Sequence, residues 1–151
     1  HLTLERIADG YNANPTSMAA ALEVLAHATP KNDLGRFSRG RRVAILGDMK
    51  ELGPTELDLH SALADLPSIQ DIDLIFTVGP LMTALHDALP DEKRGGWFET
   101  AAELAESIAK RLDGGDVVLA KGSLSMQLAR VVDAIRKMGH SAPPDNTQET
   151  T

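Results

Sequence analysis

No cysteine occurs in the 151 residues, which excludes disulfides, thiolate zinc sites and a cysteine nucleophile. That absence fits a reducing compartment. Long apolar runs are missing too: stretches such as Val43 to Leu46 and Val117 to Ala120 fall far below the ~20 residues that span a bilayer. The chain reads as soluble. Its first residues, from His1 to Arg6, carry neither a cationic leader nor an apolar stretch of signal-peptide length, and the start falls almost inside a strand, as expected of a cut from a longer chain. Basic residues are outnumbered, 15 Lys and Arg against 22 Asp and Glu for a formal charge of −7. A sequence-independent grip on nucleic acid is therefore not expected. Neither a G-x-x-x-x-G-K-S/T phosphate loop nor a G-x-G-x-x-G dinucleotide fingerprint appears. The chain thus lacks the usual means of holding a triphosphate or NAD by itself.

What is present suffices for one core. Apolar residues make up 42% of the chain, and the length is that of a single domain. Leu2 to Ala8 reads as a short strand. Asn14-Pro15 then supplies an N-cap and a proline at the first helical position, and Met18, Ala21, Leu22, Leu25 and Ala26 fall on one helical face. Thr29 to Arg41 has no period and reads as a loop. The alternation then continues with strands at Arg42 to Leu46, Asp73 to Val78, Trp97-Phe98 and Asp116 to Ala120. Helices are expected over Pro54 to Leu66, Leu81 to Leu89 and Thr100 to Leu112, with Thr100 as N-cap. A last helix is expected to open at Ser123 or Ser125 and to end at Gly139. Residues 1–139 form one domain on this reading, and 140–151 a polar, poorly packed tail.

Strands alternating with helices predict an α/β, Rossmann-like, doubly wound and mostly parallel sheet of about five or six strands with helices on both faces. Ligands of such sheets lie beyond the carboxyl ends of the strands. Three unusual segments start where predicted strands end: Asp9 to Met18, Gly47 to Gly53, and Lys121 to Met126. They are expected to meet at one edge. Each has an ordinary alternative. Asn12 and Asn14 can simply shape a turn and cap a helix, and Asp48 and Glu51 can be solvated loop charges. Lys121-Gly122-Ser123 can hold an anion through N–H groups and a strand-end lysine at a polar rim, but strand-Gly-Ser-helix junctions are common. The histidines, among them His27, His60 and His86, are scattered without metal-ligand spacing, so no metal site is expected. Met18, Met49, Met82, Met126 and Met138 read as core filler.

Together these segments resemble the Mur ligases. Asp9-Gly10-Tyr11-Asn12-Ala13-Asn14-Pro15-Thr16-Ser17-Met18 is similar to the signature of the members that join D-alanyl-D-alanine to UDP-N-acetylmuramoyl-tripeptide. Leu46 to Gly53, with His60 downstream, is similar to their L-G-D-M-x-E-L-G segment, and Lys121 to Met126 to their K-G-S-R-S-M segment. The resemblance implies the carboxyl-terminal domain of a three-domain cytoplasmic enzyme of peptidoglycan synthesis, inactive alone. The N-terminal domain would grip the UDP-sugar, and the central domain would hold ATP and Mg2+. ATP would phosphorylate the tripeptide carboxylate, and the dipeptide amine would displace phosphate. The resemblance also implies that Asp9, Asn12, Asn14 and Thr16 line the nucleotide cleft. Lys121, Ser123 and Ser125 would lie near the incoming dipeptide, with Asp48, Met49, Glu51 and Leu52 lining the same cleft. No catalytic set is complete in the chain. Leu124 departs from the pattern by replacing an arginine, and Gly10 by replacing Ser or Ala. Two alternatives remain open: a related ligase with another amino-acid substrate, as in cyanophycin-synthetase-like or folylpolyglutamate-synthetase-like proteins, or a stand-alone nucleotide-binding or interaction module.

Overall fold

The computed structural model describes residues 3–6, 13–34 and 39–140. Five strands form one parallel sheet: β1 (Thr3–Arg6), β2 (Arg42–Gly47), β3 (Leu74–Val78), β4 (Arg94–Phe98) and β5 (Val117–Lys121), in the spatial order β1-β5-β2-β3-β4. The described residues adopt the expected alternation, with five strands, the lower of the two expected counts. Around the sheet lie α1 (Pro15–Ala26), α2 (Glu56–Ser61), α3 (Thr83–Ala88), α4 (Ala101–Arg111) and α5 (Ala129–His140).

Period two in the strands decides which face each side chain joins. Along β2, Ala44 and Leu46 pack with Ile75, Leu119 and the apolar face of α1, including Met18, Leu22 and Leu25. Val43 and Ile45 point the other way, to Phe76, Val118, Leu104 and Ile108 of α4, and Val131 and Ile135 of α5. Both faces of β2 are buried, as a central parallel strand requires. Its unbroken apolar run, with no polar alternation, is the sequence mark of that position.

Helix starts follow the expected chemistry. Ser17 N–H donates to Asn14 Oδ1 at 2.8 Å while Asn14 N–H donates to Ser17 Oγ at 3.1 Å, a reciprocal cap at the start of α1. Thr100 Oγ1 accepts from Glu103 N–H at 3.3 Å at the start of α4.

Two helices differ from expectation. The segment from Pro54 to Leu66 is not one helix: α2 covers six residues, a tight 3-10 turn follows at Ala62–Asp65, and another at Pro67–Asp71. Pro67 separates the two turns, because a proline pushes the residue before it out of the helical region, and Leu66 is extended at φ −65° and ψ 136°. The last helix opens neither at Ser123 nor at Ser125. Leu124–Met126 form a 3-10 turn, Gln127 adopts a left-handed conformation at φ 57° and ψ 39°, and α5 begins beyond it. It runs one residue past Gly139, to His140, and the rest of the expected tail lies outside the described residues.

The edge away from the strand carboxyl ends is tied by a buried charge. Asp116 accepts from Arg41 N–H at 3.1 Å, from the Arg41 guanidinium at 2.8 Å, and from Asp113 N–H at 2.9 Å. This clasp joins the entrances of β2 and β5 and leaves the opposite edge to the functional loops.

Candidate functional site at the carboxyl edge of the sheet

Neighbouring strands β5 and β2 send their chains to opposite sides of the sheet. From β2 the chain goes to the side of α1 and α3, and from β5 to the side of α4 and α5. Their carboxyl ends therefore flank a topological switch point, where loops diverge and leave a crevice. The Gly47 to Gly53 and Lys121 to Met126 segments are the two loops that leave it. Since β1 runs parallel to β5, its carboxyl end lies at the same edge. Asp9 and Asn12 themselves fall outside the described residues.

The two loops are bonded to each other. Ser123 N–H donates to the Asp48 carbonyl at 3.0 Å, and Lys50 N–H donates to Ser123 Oγ at 2.9 Å. Asp48 is fully buried, and its carboxylate is engaged in the protein rather than solvated. Oδ1 accepts from Met82 N–H at 2.9 Å and Oδ2 from Leu81 N–H at 3.2 Å, while the Lys50 ammonium lies 3.5 Å from Oδ2. One carboxylate thus ties the β2 loop to the turn leading into α3.

Met49 is buried and belongs to the core on the α1 side, so it is its backbone that borders the loop. Its N–H donates to His60 Nε2 at 2.9 Å, and His60 Nδ1 lies 2.6 Å from the Glu56 carbonyl. That pair of contacts fixes the tautomer: Nδ1 carries the hydrogen and donates, and Nε2 accepts. The buried imidazole therefore braces the loop from α2. Glu51 is exposed at a left-handed φ of 62°, and Leu52 packs partly against the core.

Lys121, at the end of β5 opposite Leu46, is buried with 3% exposure. It is built into the sheet end, whereas the sequence reading placed it as a strand-end lysine at a polar rim. Ser123 is also buried, whereas Ser125 and Leu124 are exposed. Asn14 and Thr16 are exposed at the start of α1.

Beside the crevice, a pocket of about 360 Å³ opens between the starts of α4 and α5, lined by Thr100, Ser125, Met126, Gln127 and Arg130 among others. Of the expected site residues, Ser125 alone lines this pocket, while Gln127 and Arg130 were not singled out in the sequence. Sequence reasoning also missed the turn at Leu81 and Met82 that holds Asp48. The Gly79-Pro80 stop after β3 was the available signal, since strand-ending turns at this edge supply N–H donors. No group of three metal-ligating His, Asp or Glu side chains gathers among the described residues, and none of their helices is long and apolar enough to cross a membrane.

Residues 3–124 match the family model described as "Mur ligase, glutamate ligase domain". The chain is 36% identical over 138 residues to the UDP-N-acetylmuramoyl-tripeptide–D-alanyl-D-alanine ligase of Treponema pallidum, a match that covers 89% of this chain and 28% of the relative. A crystal structure of MurF from Acinetobacter baumannii superposes with a TM-score of 0.66 at 28% identity, covering 88% of this chain and 28% of that one. The MurF ligase of Thermotoga maritima, crystallised in complex with ADP, shares the fold with a TM-score of 0.69 at 24% identity, over 92% of this chain and 30% of its own. The chain spans little more than a quarter of the length of these relatives.

Proposed function

Since this chain belongs to the Mur ligase family, matching its glutamate ligase domain over residues 3–124, we propose that it is the carboxyl-terminal domain of an ATP-dependent amide ligase. The ligase joins D-alanyl-D-alanine to UDP-N-acetylmuramoyl-tripeptide in the cytoplasm. The observation that carries the reading is the pair of loops at the switch point, Gly47 to Gly53 and Lys121 to Met126, hydrogen-bonded into one wall at the edge where such sheets bind ligands.

The chemistry asked of this wall is positioning. A carboxylate is a poor electrophile, so the tripeptide carboxylate must first become an acyl phosphate, and the dipeptide amine must then add to its carbonyl carbon from above the carbonyl plane, giving a tetrahedral intermediate from which phosphate leaves. In this proposal the N-terminal and central domains hold the UDP-sugar and ATP, and Mg2+ accompanies the ATP phosphates there. Among the described residues no group of three ligating side chains gathers for that ion. By the family resemblance, Asp9, Asn12, Asn14 and Thr16 are assigned to the nucleotide. Lys121, Ser123 and Ser125 lie on the dipeptide side. Asp48, Met49, Glu51 and Leu52 shape the wall between them, Met49 through its backbone. Domain closure would complete the site and exclude water, which would otherwise hydrolyse the acyl phosphate.

Product analysis on the complete protein tests the reading. With ATP and the tripeptide nucleotide, competing acceptors should yield only the species heavier by one D-alanyl-D-alanine. A product carrying a single amino acid instead would assign the chain to a sister ligase.

A further inference from the structure

Lys50 fills the variable position of the Gly47 to Gly53 segment, yet both of its ends are anchored to the rim. Its N–H donates to Ser123 Oγ at 2.9 Å, which fixes its backbone against the loop after β5. Its ammonium reaches back to within 3.5 Å of Asp48 Oδ2, with the lysine side chain 42% exposed above a fully buried carboxylate. An ammonium has three N–H donors, and a single long contact with Asp48 does not use them all.

Asp48 does not depend on the lysine for its place. Leu81 N–H and Met82 N–H already hold both of its oxygens. A half-exposed ion pair of this length adds little to stability. The side chain is thus a cation held at the switch-point crevice with spare donors.

We propose that Lys50 binds the terminal carboxylate of the acceptor dipeptide, an inference that rests on the ligase reading above. The local charge favours a monoanion. Asp48 beneath the ammonium makes the pair nearly neutral, so a group with a single negative charge can be accommodated, whereas a polyphosphate would face the buried carboxylate at close range. A carboxylate gains a charge-assisted hydrogen bond and, with one negative charge, meets a smaller repulsion.

Steady-state kinetics of the complete enzyme provide the test, with D-alanyl-D-alanine and its C-terminal amide as paired acceptors. The parent enzyme should prefer the free carboxylate by about tenfold, equivalent to about 1.4 kcal/mol. Lys50→Met should raise KM for the dipeptide by a similar factor and erase the preference, and Lys50→Arg should restore most of it. KM for ATP should stay within about twofold, since a contact made to one substrate alone leaves the binding of the other unchanged. Retained discrimination in Lys50→Met, or a rise confined to the KM for ATP, would overturn the assignment while leaving the ligase reading intact. Should Lys50→Met fail to fold, retained discrimination in Lys50→Glu, or its loss in Lys50→Arg, would be equally contrary. A parent enzyme that does not use the dipeptide at all would remove the ligase reading, and this inference with it.

Discussion

Gly122 lies against Gly47 so closely that a Cβ on Gly122 would come within 2.8 Å of the Gly47 Cα. The contact is backbone to backbone, and it lets Ser123 N–H reach the Asp48 carbonyl. Gly122→Ala must push the two loops apart. Overpacking of this kind costs about 1–3 kcal/mol, or roughly 3–10 °C in the melting temperature of a domain this size. Gly53→Ala is the control: nothing lies within 4 Å of its added Cβ, and only its left-handed φ of +85° opposes it. Thermal melts should show the larger loss for Gly122→Ala.

Asp48→Ala should unfold the rim before it affects chemistry. It strips Leu81 N–H and Met82 N–H of their shared acceptor, and losing hydrogen bonds to a buried charged group costs about 3 kcal/mol. Urea titration measures this through the midpoint. An unchanged midpoint with lost turnover would mean that the carboxylate serves a ligand instead.

His60→Leu keeps an apolar body of comparable size but removes the acceptor for Met49 N–H. A buried N–H without a partner costs about 1–3 kcal/mol. The variant should be destabilised by that order, although the site is fully buried and leucine is the more apolar residue. Chemical denaturation checks it, and His60→Ala should be worse because a cavity is added.

Much of this architecture could be read from the chain, because β2 and β5 are short apolar runs bounded by glycine and α1 begins with Asn14-Pro15. The parts that could not be read depend on contacts between distant segments. A lysine at a strand end looks solvated in one dimension, yet Lys121 is buried among strands from both halves of the chain. Asp48 looks like a loop charge until the turn at Leu81 and Met82 is brought over it. The late start of α5 follows from left-handed Gln127, a conformation that glutamine does not advertise. The break between the two 3-10 turns was legible in Pro67, whose effect on Leu66 is local. The Asp9 and Asn12 expectations lie outside the described residues.

Asn14 carries two roles in the account, and they can be separated. As a cap it accepts from Ser17 N–H at 2.8 Å, so Asn14→Ala should lower stability by ~1 kcal/mol, whereas Asn14→Asp should preserve the cap. If the exposed amide also meets the nucleotide, Asn14→Asp in the complete enzyme should keep the parent melting temperature but raise KM for ATP. Equal kinetics for Asn14→Asp and the parent would leave Asn14 as a helix cap alone.

The central claim is that the loops after β2 and β5 form the acceptor wall of the ligase site. Hydrogen–deuterium exchange on the complete protein tests it most directly, comparing the substrate-free state with one saturated in the tripeptide nucleotide, a non-hydrolysable ATP analogue and D-alanyl-D-alanine. The account predicts slowed exchange in peptides covering residues 47–53 and 121–127, with none around Arg41, Asp113 and Asp116 at the opposite edge. Protection confined to that opposite edge, with the two loops unchanged, would contradict it.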